Sequence, residues 1–275
     1  MKYCRFLIDD KPHYGTVEDR NGEAWITDLA YAPEEDLAFR LAHAHAAAPA
    51  LDFESLAFEP IPLGSALLLP PVTPSKIICV GRNYRDHAKE LGNEVPTEPL
   101  LFFKPPSSLL APGGVVRIPA ASSRVDFEGE LALVIGKRVT KFATGEDWRS
   151  LVRGYTLTND VTARDLQKKD GQWTRAKGFD TFCPVGPFVS DEIDPVAGVI
   201  IETRVNGELR QHGSTVDFIF GIPELLVYIT AAITLEPGDL ILTGTPAGVG
   251  PLVAGDRVEV YISGLGVLSN TFQPE

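Results

Sequence analysis

Apolar residues in the first thirty positions fall in short runs, Tyr3–Ile8 and Ala24–Ile26. They are separated by the turn signals Asp9-Asp10-Lys11-Pro12 and Asn21-Gly22, which predict small hairpins. The stretch from Pro33 through Ala48 reads as a helix. Pro33 suits its first turn, and Glu34, Glu35 and Asp36 complement the positive end of its dipole. Asp36 and Arg40 are four apart on that helix, and His43 and His45 fall on different faces as surface residues. A proline-rich stretch through Pro60, Pro62, Pro70, Pro71 and Pro74 then marks a boundary near residue 70.

From Lys76 onward strand patterns dominate: Lys76–Val80, Leu100–Lys104, Phe127–Ile135, Gly154–Thr158, Val185–Val189, Val199–Val205, Asp239–Leu242 and Arg257–Ile262. Asn206-Gly207 is a further hairpin turn. Helices are fewer, at Tyr84–Leu91, for a turn or two after Thr162, and at Pro223–Ile233. No period of 20–50 residues recurs, which excludes solenoids and propellers. The expectation is a small N-terminal domain over 1–70 and a mainly β catalytic domain over 71–275.

Composition narrows the class. The chain has 275 residues, of which 44% are hydrophobic and 23% charged, enough to bury a substantial core. No apolar run approaches the ~20 residues of a membrane helix. The first ten residues lack a secretory pattern, so a cytoplasmic protein is expected. Cys4, Cys79 and Cys183 are scattered without CxxC spacing and read as reduced thiols. A net charge of −12 argues against nucleic acid or an anionic membrane as partner. Residues 76–180 nevertheless carry 17 Lys+Arg against 13 Asp+Glu, a net of +4, so the middle of the chain is where an anion is welcome.

Five segments carry candidate chemistry. In Asp126–Ile135, strand alternation turns Phe127, Leu131, Leu133 and Ile135 one way and Glu128 and Glu130 the other. Two like charges on one face of an apolar strand call for a cation between them, unless the face is simply solvent-exposed. In Gly154–Asp165, Asp160 stands at a strand end, as a ligand or a helix cap. With Glu128 and Glu130 it makes an all-oxygen set of carboxylates suited to Mg²⁺ or Mn²⁺ rather than zinc. In Gly81–Glu90, His87 and Glu90 lie three apart on one helix face, the spacing of an imidazole held by a carboxylate, or of an ordinary solvated face. Trp173–Asp180 and Leu242–Gly250 are glycine-containing loops fit to approach an anion, with Lys177 supplying charge. Neither matches a P-loop or dinucleotide fingerprint.

Taken in order, GRNYRDHAKE, LLFFKPPSSL, DFEGELALVIG, GYTLTNDVTARDLQ, AKGFDTFCPVGP, NGELRQ, LTGTPAGVG and GDRVEVYISGLGVLSN resemble the fumarylacetoacetate hydrolase family over about residues 72–272. The resemblance implies a mixed β-roll or β-sandwich core (mainly β, α+β), with the first 70 residues as a small appended α+β domain, and a homodimer. It implies an Mg²⁺ or Mn²⁺ site at Glu128, Glu130 and Asp160, and a catalytic set of His87, Glu90 and Lys177. Arg82, Tyr84, Arg164, Gln211 and Thr245 would lie near a small anionic 2-oxo acid substrate.

The activity expected on that basis is hydrolysis of a C–C bond in an acylpyruvate-type 2,4-dioxo acid. Pyruvate would leave through a metal-stabilised enolate, with His87 and Glu90 activating water. The same machinery serves two alternatives, decarboxylation of oxaloacetate and isomerisation of 2-hydroxyhepta-2,4-diene-1,7-dioate. A non-enzymatic alternative is a metal-binding assembly module on the same fold. Residues 163–178, with Lys168, Lys169, Gly171, Trp173 and Gly178, are expected to form a lid that orders on substrate and brings Lys177 in.

Overall fold

The computed structural model describes residues 1–30 and 58–275. The helix expected over Pro33–Ala48, with its Asp36–Arg40 pair, His43 and His45, lies outside the described residues. Within them the chain is mainly β, as the apolar patterning implies.

One long sheet runs in the order Ile61–Pro62, Glu23–Ala30, Lys11–Arg20, Lys2–Ile8, Cys183–Ser190, Val152–Asn159, Gly129–Ile135, Leu240–Leu242, Ile77–Gly81 and Leu100–Lys104. The N-terminal hairpins are therefore an extension of the same sheet, joined through Lys2 opposite Ser190 and Tyr3 opposite Val189. Leu68–Leu69, next to the boundary expected at residue 70, pairs back onto Lys2–Ile8. A second sheet orders Glu208–Ser214, Ile200–Val205, Arg257–Ile262, Gly266–Pro274 and Val115–Ile118. A small third one joins Thr162–Ala163, Val125–Phe127 and Gly250–Leu252. Both Asn-Gly turns form as expected: Asn21 and Gly22 have φ of 57° and 83°, and Asn206 and Gly207 of 53° and 85°.

The central strands are buried on both faces, which explains why they read as near-continuous apolar runs. Phe127, Leu131, Leu133 and Ile135 join a core with Ile201, Val258, Val260 and Leu268 of the second sheet. Ala132 and Val134, on the opposite face, join Ile77, Cys79, Leu240, Leu242 and Cys183. All three cysteines are free and buried. Among the described residues no helix is long and apolar enough to cross a membrane.

One pair of strands aims the loops that matter below. Ile77–Gly81 and Leu240–Leu242 are parallel neighbours, with Ile77 opposite Leu240 and Cys79 opposite Leu242. Their carboxyl ends release Arg82–Glu90 and Thr243–Gly250 on the same side. Their amino ends are pinned by Asp239, which is fully buried. Its Oδ1 accepts from Ser75 N at 3.0 Å, Ser75 Oγ at 2.6 Å and Lys76 N at 3.1 Å, and its Oδ2 accepts from Glu236 N at 2.8 Å. Lys76 Nζ completes the set as an ion pair.

Removing the carboxylate by Asp239→Ala strands these donors. The expected loss is about 3–5 kcal/mol of stability, the range for a broken buried ion pair, read as a lower midpoint of urea unfolding. An unchanged midpoint would show that the knot carries no weight.

Candidate active site

The three carboxylates expected to hold a cation do meet. Glu128 is the single residue between the strands Val125–Phe127 and Gly129–Ile135, and Glu130 follows on the same face. Gly129 faces Asn159 across the antiparallel ladder, so Asp160 emerges beside them, and its amide donates to Glu128 O at 2.8 Å. Asn159 also serves locally, since its Oδ1 accepts from Glu128 N at 2.9 Å. Gly129 allows this close approach: a Cβ there would stand 2.1 Å from Thr203 Oγ1. One oxygen from each of Glu128, Glu130 and Asp160 lies within 4.8 Å of the others, and all three side chains are buried. The solvent-facing alternative for the glutamates is thereby set aside.

Cations surround this cluster. Lys177 Nζ donates to Glu128 Oε2 at 2.7 Å and to Asp160 Oδ2 at 2.6 Å. Arg164 donates from Nη2 to Glu128 Oε1 at 2.5 Å and from Nε to Asp126 Oδ2 at 3.0 Å. Lys104 Nζ donates to Val161 O at 3.1 Å and lies 2.7 Å from Asp160 Oδ1. Both oxygens of Asp160 therefore have an ammonium beside them. Among the described residues, Glu130 receives only the amide of Gly244, at 2.7 Å to Oε2.

These surroundings push the two glutamates apart. Burial raises the Glu128 pKa, but the Lys177 and Arg164 charges outweigh it and hold the carboxyl well below the usual range. Burial pushes Glu130 up, and the neighbouring Asp160 and Glu128 charges push it further, well above an ordinary carboxyl. Burial works against the Lys177 ammonium, yet Asp160 and Glu128 raise its pKa and keep it charged.

The imidazole and carboxylate of the short helix Arg85–Glu90 also face each other. His87 Nδ1 is 3.4 Å from Glu90 Oε2, and Gly248 N donates to Glu90 at 3.0 and 3.2 Å. Burial raises the Glu90 pKa, but the hydrogen bonds from His87 and Gly248 more than reverse it and leave the carboxyl below its ordinary value. Gly248 has a φ of +104°, and a Cβ there would sit 1.9 Å from Arg210 O, so this donor depends on glycine.

A cavity of about 430 Å³ is lined by His87, Glu90, Glu128, Glu130, Asp160 and Lys177 together. Of the five positions expected near substrate, Arg82, Arg164 and Thr245 also line it. Tyr84 and Gln211 do not. Tyr84 is buried with its ring edge-on to Phe218 at 5.3 Å. Gln211 is saturated by structure: its Oε1 accepts from Gly129 N at 3.0 Å, and its Nε2 donates to Thr245 Oγ1 and Pro246 O at 2.7 Å each. The lid expected over 163–178 is two short helices, Arg164–Asp170 and Thr174–Lys177, with Lys177 already seated on its carboxylates.

Sequence reading passed over Lys104, Asp126 and Asn83. Lys104 ends the apolar run LLFFK, where a lysine buried to 1% exposure has to have an anion waiting. Asn83 donates from Nδ2 to Phe220 O at 3.2 Å and Thr243 O at 2.9 Å, and accepts from Phe220 N at 2.9 Å.

A divalent cation fits these residues. The donors are all carboxylate oxygens, the preference of hard ions, and among the described residues Glu130 has no cationic partner. Fold and site thus define a β-rich protein with a buried carboxylate trio able to hold a divalent metal and a histidine–glutamate pair in the same cavity.

The chain belongs to the fumarylacetoacetate hydrolase family, whose C-terminal domain model matches residues 76–273. It is 47% identical to the oxaloacetate tautomerase YisK of Bacillus subtilis over 72% of this chain and 69% of that protein. It is also 47% identical to the mitochondrial oxaloacetate decarboxylase of Dictyostelium discoideum, over 70% of this chain and 91% of that one. Among solved structures, the 2-hydroxyhepta-2,4-diene-1,7-dioate isomerase of Mycobacterium marinum superposes with a TM-score of 0.83 at 38% identity, covering 100% of this chain and 99% of that one. These relatives favour the two alternatives over the hydrolysis first expected.

Mg²⁺ or Mn²⁺ at a hundredfold excess over its Kd is expected to add about 2.7 kcal/mol. For a chain of this size that raises Tm by roughly 5–10 °C. In Glu130→Gln the shift vanishes, while the metal-free Tm holds or rises, because the carboxylate without a cationic partner is gone. Differential scanning calorimetry with and without chelator reads both. A fall in the metal-free Tm would contradict the repulsion assigned to Glu130.

Proposed function

We propose that the protein moves a proton at the carbon beside the keto group of a short 2-oxo dicarboxylic acid of the oxaloacetate kind. It interconverts keto and enol forms, with decarboxylation as a side branch of the same site. The observation that carries this reading is that His87, backed by Glu90, shares one cavity with the carboxylate trio. The activities named for the oxaloacetate relatives support it over hydrolysis.

The chain's own residues divide the work. Glu128, Glu130 and Asp160 would hold Mg²⁺ or Mn²⁺, which supplies a Lewis acid for a keto oxygen. His87 with Nδ1 turned to Glu90 keeps Nε2 free to accept a proton. It takes the C3 proton; the C3–H pair becomes the C2–C3 double bond, and the carbonyl pair moves to oxygen, which receives the proton. Glu90, ionised and anchored by Gly248, stabilises the imidazolium formed on the way. Lys177 lines the cavity and sets a fixed positive charge beside the developing negative one.

The test follows the enol absorbance of oxaloacetate with Mg²⁺ present, with pyruvate assayed in parallel and acetylpyruvate as comparator. The wild type is expected to accelerate loss of the enol signal. His87→Gln should lower kcat about 10²–10⁴-fold, with a smaller drop for Glu90→Gln. Inert oxaloacetate alongside cleaved acetylpyruvate would overturn the reading in favour of hydrolysis.

A further inference from the structure

The cations at the inner end of the cavity are all paired, and those at the outer end are not. Lys177 is held by Glu128 and Asp160, and Arg164 by Asp126 and Glu128; at the mouth Arg124 is held by Asp126. Arg82 and Lys168 also line the cavity, yet neither has an acidic partner within ion-pair distance among the described residues. Lys168 is exposed on its helix, where water screens it. Arg82 is half-buried and is the better anchor.

Its placement is built rather than incidental. Arg82 has a φ of +58°, in the left-handed region that non-glycine residues seldom adopt. Its guanidinium carbon lies 5.9 Å from the Trp173 ring centroid. Trp173 can come this close because residue 81 is glycine: a Cβ there would stand 2.9 Å from Trp173 Cζ3. Trp173 in turn packs edge-on to Phe102 at 5.1 Å, and Lys177 Nζ lies 5.0 Å from the Phe102 ring. A continuous stack therefore ties Arg82 to the lysine at the inner end. Backbone strain retained to hold an unpaired cation at a cavity wall points to a ligand for that cation.

We propose that Arg82 binds the distal carboxylate of the substrate, making it the residue that selects 2-oxo dicarboxylates over 2-oxo monocarboxylates. The inference rests on the proton-transfer reading for its substrate and adds a consequence. In decarboxylation of oxaloacetate the C3–C4 bond breaks, its electron pair forms the C2–C3 double bond, the keto oxygen takes up the carbonyl pair, and C4 departs as CO₂. The enolate then takes a proton at C3 to give pyruvate. A guanidinium gripping the C4 carboxylate through two N–H donors stabilises its charge, which CO₂ loss has to remove. Arg82 thus biases the site towards proton transfer.

Arg82→Met and Arg82→Lys in the full-length, Mg²⁺-loaded protein test this. For Arg82→Met the KM for oxaloacetate is expected to rise at least tenfold, deuterium exchange at C3 of pyruvate to stay within twofold, and pyruvate formed per enol turnover to increase. Arg82→Lys should recover part of the KM. A binding arm uses His87→Gln protein, in which turnover is blocked. Calorimetry there should give at least tenfold tighter binding of oxaloacetate than of 2-oxobutanoate, the monoacid of equal length, and adding Arg82→Met should erase the difference. Equal binding of diacid and monoacid with Arg82 present, or parallel losses on both substrates in Arg82→Met, would overturn the proposal. An Arg82-dependent binding preference without turnover of oxaloacetate would instead leave it standing and remove the proton-transfer reading.

Discussion

Six ionic side chains without access to bulk water set the terms for everything else in this fold. Glu128, Glu130 and Asp160 face Lys104, Arg164 and Lys177, and each of the six is buried. Removing one such ion from water costs several kcal/mol even after relaxation, so none of these charges survives without close partners. Every carboxylate oxygen of Glu128 and Asp160 has a cationic nitrogen within 2.7 Å. Glu130 has only a backbone amide. The cluster is thus balanced in number but uneven in space, and the deficit of positive charge sits where the third carboxylate points. A hard divalent cation is the species that this unevenness favours.

Holding that arrangement falls to backbone rather than to side-chain packing alone. The ladder between Gly129–Ile135 and Val152–Asn159 sets Gly129 opposite Asn159 and Glu130 opposite Thr158, and a slip of one residue would send Glu130 to the other face. The parallel pair Ile77–Gly81 and Leu240–Leu242 delivers two loops to the same place. One brings His87 and Glu90. The other brings the Gly244 amide to Glu130 and the Gly248 amide to Glu90. Asn83 binds those loops to each other, bridging Thr243 and Phe220. Ligand sites at the carboxyl ends of parallel strands are a general outcome of such geometry.

Much of this was legible in the chain. Strand alternation over Phe127–Ile135 separated the glutamates from the apolar face correctly, because a period of two has no other reading. The Asn-Gly turns, the central strands and the short helix of His87 and Glu90 were equally local signals. Lys104 and Asp126 were invisible, since their meaning lies in partners at 160, 164 and 124 that no local pattern connects. Gln211 and Tyr84 show what a local motif leaves out. Both lie next to the cavity in sequence-motif terms, yet hydrogen bonding to Gly129 and Thr245 in one case, and packing on Phe218 in the other, turn them inward to structure. The strands Val115–Ile118 and Gly266–Pro274 escaped notice because serine, asparagine and glycine interrupt the apolar rhythm of the longer one.

The contrast between the two ends of the cavity explains how one scaffold hosts several reactions. At the inner end, changing Glu128, Asp160, Lys104, Arg164 or Lys177 leaves an uncompensated buried charge, a penalty of about 3–5 kcal/mol that threatens folding itself. Around the mouth, Arg124 and Lys168 are exposed, and substitutions at such positions usually shift stability by no more than about 0.5 kcal/mol. Chemistry that depends on the inner end, which in the reaction proposed above is the acidification of a carbon beside a keto group, is therefore tied to the fold. Choice of substrate, and of what happens to the electron pair once the C–H or C–C bond opens, is free to vary at the mouth. Relatives named as tautomerase, decarboxylase and isomerase at 38–47% identity are what such a division of constraint produces.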